Sequence, residues 1–156
     1  MQNYEILEHT GDVKIKAYGK SKEELFQNAM EGMFKILNPK SPASIRRRGE
    51  AGKGPASPQF RRGEQNPKRR TVRIKSSDSD ALLVDFLSEI NYLRQVHSEI
   101  YNEVKFMKFS DTVLQAKLQG QEVEEFGEDI KAVTFHELDI RQNKGRIWET
   151  SIIFDV

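Results

Sequence analysis

The chain predicts an α+β fold of mostly antiparallel strands with two segregated helices. Three observations carry that reading. Two stretches repeat apolar residues at the helical period. The segments around them, and most of the C-terminal half, alternate apolar and polar residues. The strand patterns come in runs rather than one for each helix, which favours layered α+β over a parallel sheet. No glycine fingerprint of a Rossmann-type unit is present.

In order, "NYEILEH" and "DVKIKAYG" alternate, with Val13, Ile15 and Ala17 on one face and Asp12, Lys14, Lys16 and Tyr18 on the other. "HTGD" joins them tightly, and Gly11 is free to take a turn conformation. "SKEELFQNAMEGMFKIL" predicts a helix capped by Ser21, with Glu24 completing a capping box and Leu25, Ala29, Met33, Ile36 and Leu37 as its apolar stripe. "TVRIKS" alternates again. "DSDALLVDFLSEINYLRQVH" predicts a second helix, opened by acidic residues and faced by Leu82, Leu83, Phe86, Leu87, Ile90 and Leu93. Four strands follow, in "IYNEVKFMKF", "TVLQAKLQGQEV", "IKAVTFHELDI" and "RIWETSIIFDV", with a hairpin turn around Asn143–Gly145 between the last two.

The 156 residues suit a single domain, 1–156, and 37% hydrophobic content can build a core. The net charge of +1 hides a division. Residues 39–70 hold ten Lys/Arg, two Glu and all five prolines, so this basic segment is expected to be a mobile loop or insert. With no cysteine, disulfides, thiolate metal sites and cysteine nucleophiles are excluded. The first residues lack a signal-peptide pattern and no apolar run reaches spanning length, so a cytoplasmic protein without a membrane is expected.

Few residues suggest chemistry. No nucleophile elbow, P-loop or HExxH helix is present. Asp78 and Asp80 read as helix-capping residues. His97 ends the second helix, where a cation suits the dipole, and His9 and His136 lie at or near strand ends. Asp12 opens one strand and Asp155 closes another in "WETSIIFDV", beside the terminal carboxylate. Either both are solvated strand-end charges, or they converge with the terminus as hard oxygen donors suited to Ca²⁺ or Mg²⁺ rather than zinc. The arginines of the basic segment could grip RNA phosphates, but Phe60 alone is available there for stacking.

"YEILEHTGDVKIKAYGKSKEELFQNAMEGMF", "DALLVDFLSEINYL", "IKAVTFHELDI" and the final "IIFDV" occur together and in this order, and they resemble the archease family. The likeness spans nearly all of the chain outside residues 39–70. It implies duplicated strand–helix–strand units with an antiparallel sheet curling toward a barrel. It implies an accessory role rather than an enzyme: an activator of the RtcB-type RNA ligase, the partner that joins RNA ends in tRNA splicing and repair. The activator promotes guanylylation of the ligase histidine and multiple turnover, and meets RNA indirectly through the ligase. It also implies a calcium-type ion, or another hard divalent cation such as Mg²⁺, held by Asp12, Asp155 and Val156. Val156 would contribute backbone or terminal oxygens. Lys131, His136 and His9 match further polar positions of the family. Two departures stand out: Gly11 replaces the usual Ala, and the basic segment is not part of the family pattern. A rival reading is a chaperone-like or RNA-binding adaptor acting through that segment.

Overall fold

In a computed structural model that describes residues 2–9, 11–40, 67–136 and 138–156, β1 (Tyr4–His9) and β2 (Asp12–Gly19) form the expected hairpin. The alternation works as predicted: Ile15 and Ala17 are fully buried, and the intervening polar residues face outward. Gly11 takes φ +82°, the left-handed turn conformation that its lack of a side chain permits.

Helix α1 (Lys22–Leu37) begins where the Ser21 hydroxyl accepts from the Glu24 N–H at 3.1 Å. Glu24 reaches back to the N–H of Lys20 rather than of Ser21, a capping box displaced by one residue. α1 is followed by β3 (Pro39–Lys40), β4 (Lys68–Lys75) and α2 (Ser79–His97). Asp78 caps α2, accepting from the Ala81 N–H at 2.8 Å, as the acidic opening predicts. Both helices stop in the same way. Asn38 (φ 51°) and Ser98 (φ 54°) turn left-handed and donate their N–H groups to Phe34 and Arg94, and each leads directly into a strand. These matching ends make the repeated strand–helix–strand unit visible.

The remaining strands are β5 (Glu99–Phe109), β6 (Val113–Glu122), β7 (Glu125–Phe126), β8 (Ala132–Thr134), β9 (Arg141–Gln142) and β10 (Trp148–Asp155). One sheet runs β1-β2-β10-β8 with β9 also paired to β10, a second runs β4-β6-β5, and β3 pairs with β7. All of the pairings are antiparallel, and the sheets do not join into a closed barrel among the described residues. Each helix reaches both large sheets, α1 against β2 and β5, α2 against β4 and β8. Phe26, Phe86, Phe106 and Phe109 interlock there with ring centroids 5.0–6.0 Å apart, joining α1, α2 and β5. No described helix is long and apolar enough to cross a membrane.

One expectation needs adjustment. "IKAVTFHELDI" is strand only over Ala132–Thr134, after which Leu138 and Ile140 reach the core from an irregular segment. The hairpin turn centres on Asn143 as expected: its side chain accepts from the Gly145 and Ile147 N–H groups, and Arg146 takes the left-handed conformation. Of the basic segment, Pro39–Lys40 and Lys68–Arg70 lie in paired strands, while residues 41–66 are outside the described residues.

Two charge clusters brace the frame. Arg70 makes a bidentate pair with Glu99 at 2.9 and 2.7 Å, and the Tyr101 hydroxyl donates to the same carboxylate at 2.8 Å. Burial pushes the Glu99 carboxyl up, but the bonds from Arg70 and Tyr101 outweigh it and hold the group below its ordinary range. Near the end of α2, the buried Arg94 donates to Asn91 at 2.8 Å, Asp129 at 2.7 Å and the Ile130 carbonyl at 3.1 Å, with Phe126 under its guanidinium.

Because the folded-state pKa of Glu99 is depressed, its contribution is fully present above the unfolded value of about 4.3 and is lost as pH falls through the folded one. Urea midpoints should therefore fall as pH drops from the unfolded value through the folded one, and less steeply in Glu99→Gln; identical slopes would refute the assignment. Arg94→Ala should cost about 2–4 kcal/mol, since it leaves buried acceptors unpaired, and a urea titration showing less than about 1 kcal/mol would contradict it.

Candidate functional site

The end of the first sheet collects residues from remote parts of the chain. The hairpin register sets His9 opposite Asp12. β10 pairs along the other edge of β2 and sets Asp155 opposite Asp12. β8 pairs with β10 and sets Ala132 opposite Asp155. Positions 9, 12, 155 and 132 thus form one row across four strands. Just beyond it, the Lys131 N–H donates to the Asp155 carbonyl at 2.7 Å, and Val156 follows Asp155 half-buried.

Alternation decides which face these side chains occupy. Ile152 and Phe154 are fully buried in the core, so Ile153 and Asp155 turn to the other face. Burial of Ile15 turns Asp12 to that same outer face. Directly opposed antiparallel residues have Cβ atoms about 4.5–5.5 Å apart, close enough for two carboxylates to repel measurably.

Asp12 Oδ1 is buried and has no hydrogen-bond partner among the described residues. A buried carboxylate oxygen without a donor is costly and calls for a ligand, an ion or water. Thr134 Oγ1 on the same outer face is likewise buried and unpaired among the described residues. Thr134 lies opposite Ile153, one step further along β8 from the row. Sequence patterning offered no reason to single it out, because a strand threonine is ordinary.

The donor set fits a hard cation in kind: two carboxylates on adjacent strands, one with an orphaned oxygen, followed by the oxygens of Val156. No group of three or more His, Cys, Asp or Glu side chains suited to a metal forms among the described residues, so any further donors must be other oxygens. Lys131 is exposed and enters the row through its backbone. His136 is exposed two residues past β8, where the chain runs away from the row. His9 occupies the row by backbone register, and its side chain lies outside the described residues.

Elsewhere on the outer face, Leu7 and Ile153 lie among charged groups that pair with one another. The Tyr18 hydroxyl donates to Glu5 at 2.9 Å, and burial with the nearby Glu5 pushes the phenol up to about 12. Lys16 meets Glu149 at 3.3 Å, and Asn143 donates to the same side chain at 2.7 Å. The carboxylate pair therefore sits at one end of a surface whose other charges are matched.

Comparison with known proteins follows from the fold. The model of the Archease protein family (MTH1598/TM1083) matches residues 4–156. The archease of Methanosarcina mazei is 32% identical over 168 residues, covering 99% of this chain and 97% of that protein. A solution structure of Methanobacterium thermoautotrophicum protein 1598 superposes with a TM-score of 0.63 at 24% identity over 100% of both chains. A crystal structure from Thermotoga maritima, described as an archease, possible chaperone, gives 0.61 at 16% identity over 96% of this chain and 94% of that one. These two structures support the shared fold.

If the carboxylates are uncompensated, Asp12→Asn in the presence of chelator should be as stable as wild type, or up to about 1 kcal/mol more stable. A comparable loss on urea denaturation would instead reveal a partner that stabilises the Asp12 charge.

Proposed function

Because the chain belongs to the archease family, we propose that it activates an RtcB-type RNA ligase in tRNA splicing and repair. In this reading it promotes guanylylation of the ligase histidine and multiple turnover, and the ligase alone joins RNA. The observation that carries the reading is the register of Asp12 against Asp155, with an orphaned oxygen on Asp12. This is the arrangement expected of the metal-bearing end of a family member.

Asp12 and Asp155 would hold a hard divalent cation, Ca²⁺ or Mg²⁺, with oxygens of Val156 completing the donor set. Such an ion supplies concentrated positive charge that neutralises the carboxylates and suits a nucleoside triphosphate. The protein's own contribution is positional. β10 is fixed between β2 and β8, and the Lys131–Asp155 backbone bond fastens its last residue. The row therefore presents a rigid edge for docking near the ligase's nucleotide site. Lys131, with His9 and His136, are the polar positions from which partner contacts are expected. The words "possible chaperone" attached to the Thermotoga maritima relative agree with an accessory role and leave the chaperone-like adaptor as the second reading.

The deciding experiment is multiple-turnover ligation by a cognate RtcB-type ligase with added wild type, Asp12→Ala or a variant lacking Val156. Wild type should stimulate, and each variant should lose at least about tenfold of the stimulation, the scale of a lost metal contact. Full stimulation by both variants would overturn the site, and none by wild type with an active ligase would overturn the function. Binding of Ca²⁺ at about 100 times its Kd should add about 2.7 kcal/mol to wild type and nothing to Asp12→Ala, read as a rise in Tm.

A further inference from the structure

The second sheet, β4-β6-β5, turns Val72, Leu114, Ala116, Leu118 and Tyr101 into the core. Its other face is assembled by register from three strands. Arg69, Gln119 and Glu103 form one row, Thr71, Lys117 and Lys105 the next, and Arg73, Gln115 and Lys108 the third, with Lys75 opposite Val113 beyond them. All of its cations are exposed, and six of them face a single carboxylate. Arg69 and Glu103 are joined through Gln119 at 3.2 and 3.3 Å. Arg73, Lys75, Lys105, Lys108 and Lys117 have no side-chain hydrogen bond or ion pair with a described residue.

Nothing in the core demands this pattern. Lys105 stands directly opposite Lys117, a like-charge pair that weakens a sheet. Two shallow depressions cross the face, one beside Arg69, Lys105 and Lys117, the other beside Arg73, Lys75 and Lys108. Alternate residues of a strand repeat about every 6.8 Å, so the cations form a regular array rather than one focused pocket.

We propose that the outer face of the β4-β6-β5 sheet binds the phosphate backbone of a nucleic acid without reading its sequence. An extended array of unpaired cations complements a regularly charged polyanion. The opposed rows carry no aromatic side chain, which removes base stacking and leaves phosphate contact. Val113 and the exposed Met107 of the β5 bulge are isolated apolar side chains beside the rows, not the continuous apolar face by which an interfacial surface enters lipid. This surface is on the opposite sheet from Asp12 and Asp155, and the inference stands independently of the ligase reading.

The test is fluorescence anisotropy of a labelled 20-base-pair RNA duplex of mixed sequence, titrated at several salt concentrations. One variant combines Arg73→Gln, Lys105→Gln and Lys117→Gln. A control of equal charge change combines Lys20→Gln, Lys35→Gln and Lys144→Gln, three exposed cations elsewhere. Wild type should bind with log K falling steeply with log salt, and the face variant should flatten that slope by about 2–3 units. Its affinity should drop at least about tenfold at moderate salt, while the control stays near wild type. No binding by wild type, equal losses in both triple variants, or binding to phosphatidylserine vesicles but not to RNA would each overturn the proposal. Asp12→Ala should bind RNA like wild type, so failure here is separable from failure of the ligase assay.

Discussion

The register of β10 against β2 is the constraint on which the candidate site depends. It is set by the core. Phe154 and Ile152 must lie inward beside Val13 and Ile15, and the period of a strand then forces Asp155 outward opposite Asp12. A slip of one residue would bury Asp155 and expose Phe154. The apolar packing that stabilises the sheet thereby also creates its least favourable surface pair. Because the pair lies on the outer face, neutralising it would leave the core unaltered.

The other edge of β10 depends on a buried polar anchor. The Ile130 carbonyl receives Asn91 at 3.0 Å and Arg94 at 3.1 Å, which fixes the chain just before β8. The next residue, Lys131, donates to Asp155. The interior of α2 is therefore linked to the site through two consecutive residues. Arg94 is 4% exposed, and its charge is matched by Asp129, whose carboxyl it holds below the ordinary range. Phe126 of β7 and Asp129–Ile130 are thus held by side chains of one helix, in addition to the short ladders of β7 with β3 and of β8 with β10. Lys22 performs a similar service at the opposite end, joining Ser79 at 3.2 Å and Asp111 at 2.8 Å while lying over the Trp148 ring.

The helices were legible in the sequence because their signals are local. Ser21 and Asp78 lie beside the groups they cap, and the apolar stripes repeat within a few residues. The long strands were legible for the same reason. The short extent of β8 was not, since its neighbours Leu138 and Ile140 continue the apolar pattern while serving the core from outside any strand. Arg94 reads as an ordinary helix-end cation, and its burial depends on the distant Asp129 and Ile130. The strand-end positions of Asp12 and Asp155 left convergence as one of two readings and only the family resemblance favoured it, because cross-strand register between remote segments leaves no local periodic trace. The basic face escaped notice for a related reason. Each of its strands shows a normal polar alternation, and the excess charge exists only once β4, β6 and β5 are aligned.

The two sheets therefore carry opposite demands. Asp12 faces Asp155 on one, and Lys105 faces Lys117 on the other, each a like-charge opposition that the register imposes and the residue types make unfavourable. They differ in how solvent treats them. The exposed lysines are screened over a Debye length of about 8 Å at physiological salt, so their attraction for a polyanion is strongly salt-dependent. The Asp12 oxygen is shielded from water and from mobile counterions, so salt moderates its charge far less and a directly coordinated ion is the effective remedy. Helices α1 and α2, packed against both sheets, hold these surfaces apart. One small domain can thus expose a carboxylate edge and a basic face without either neutralising the other.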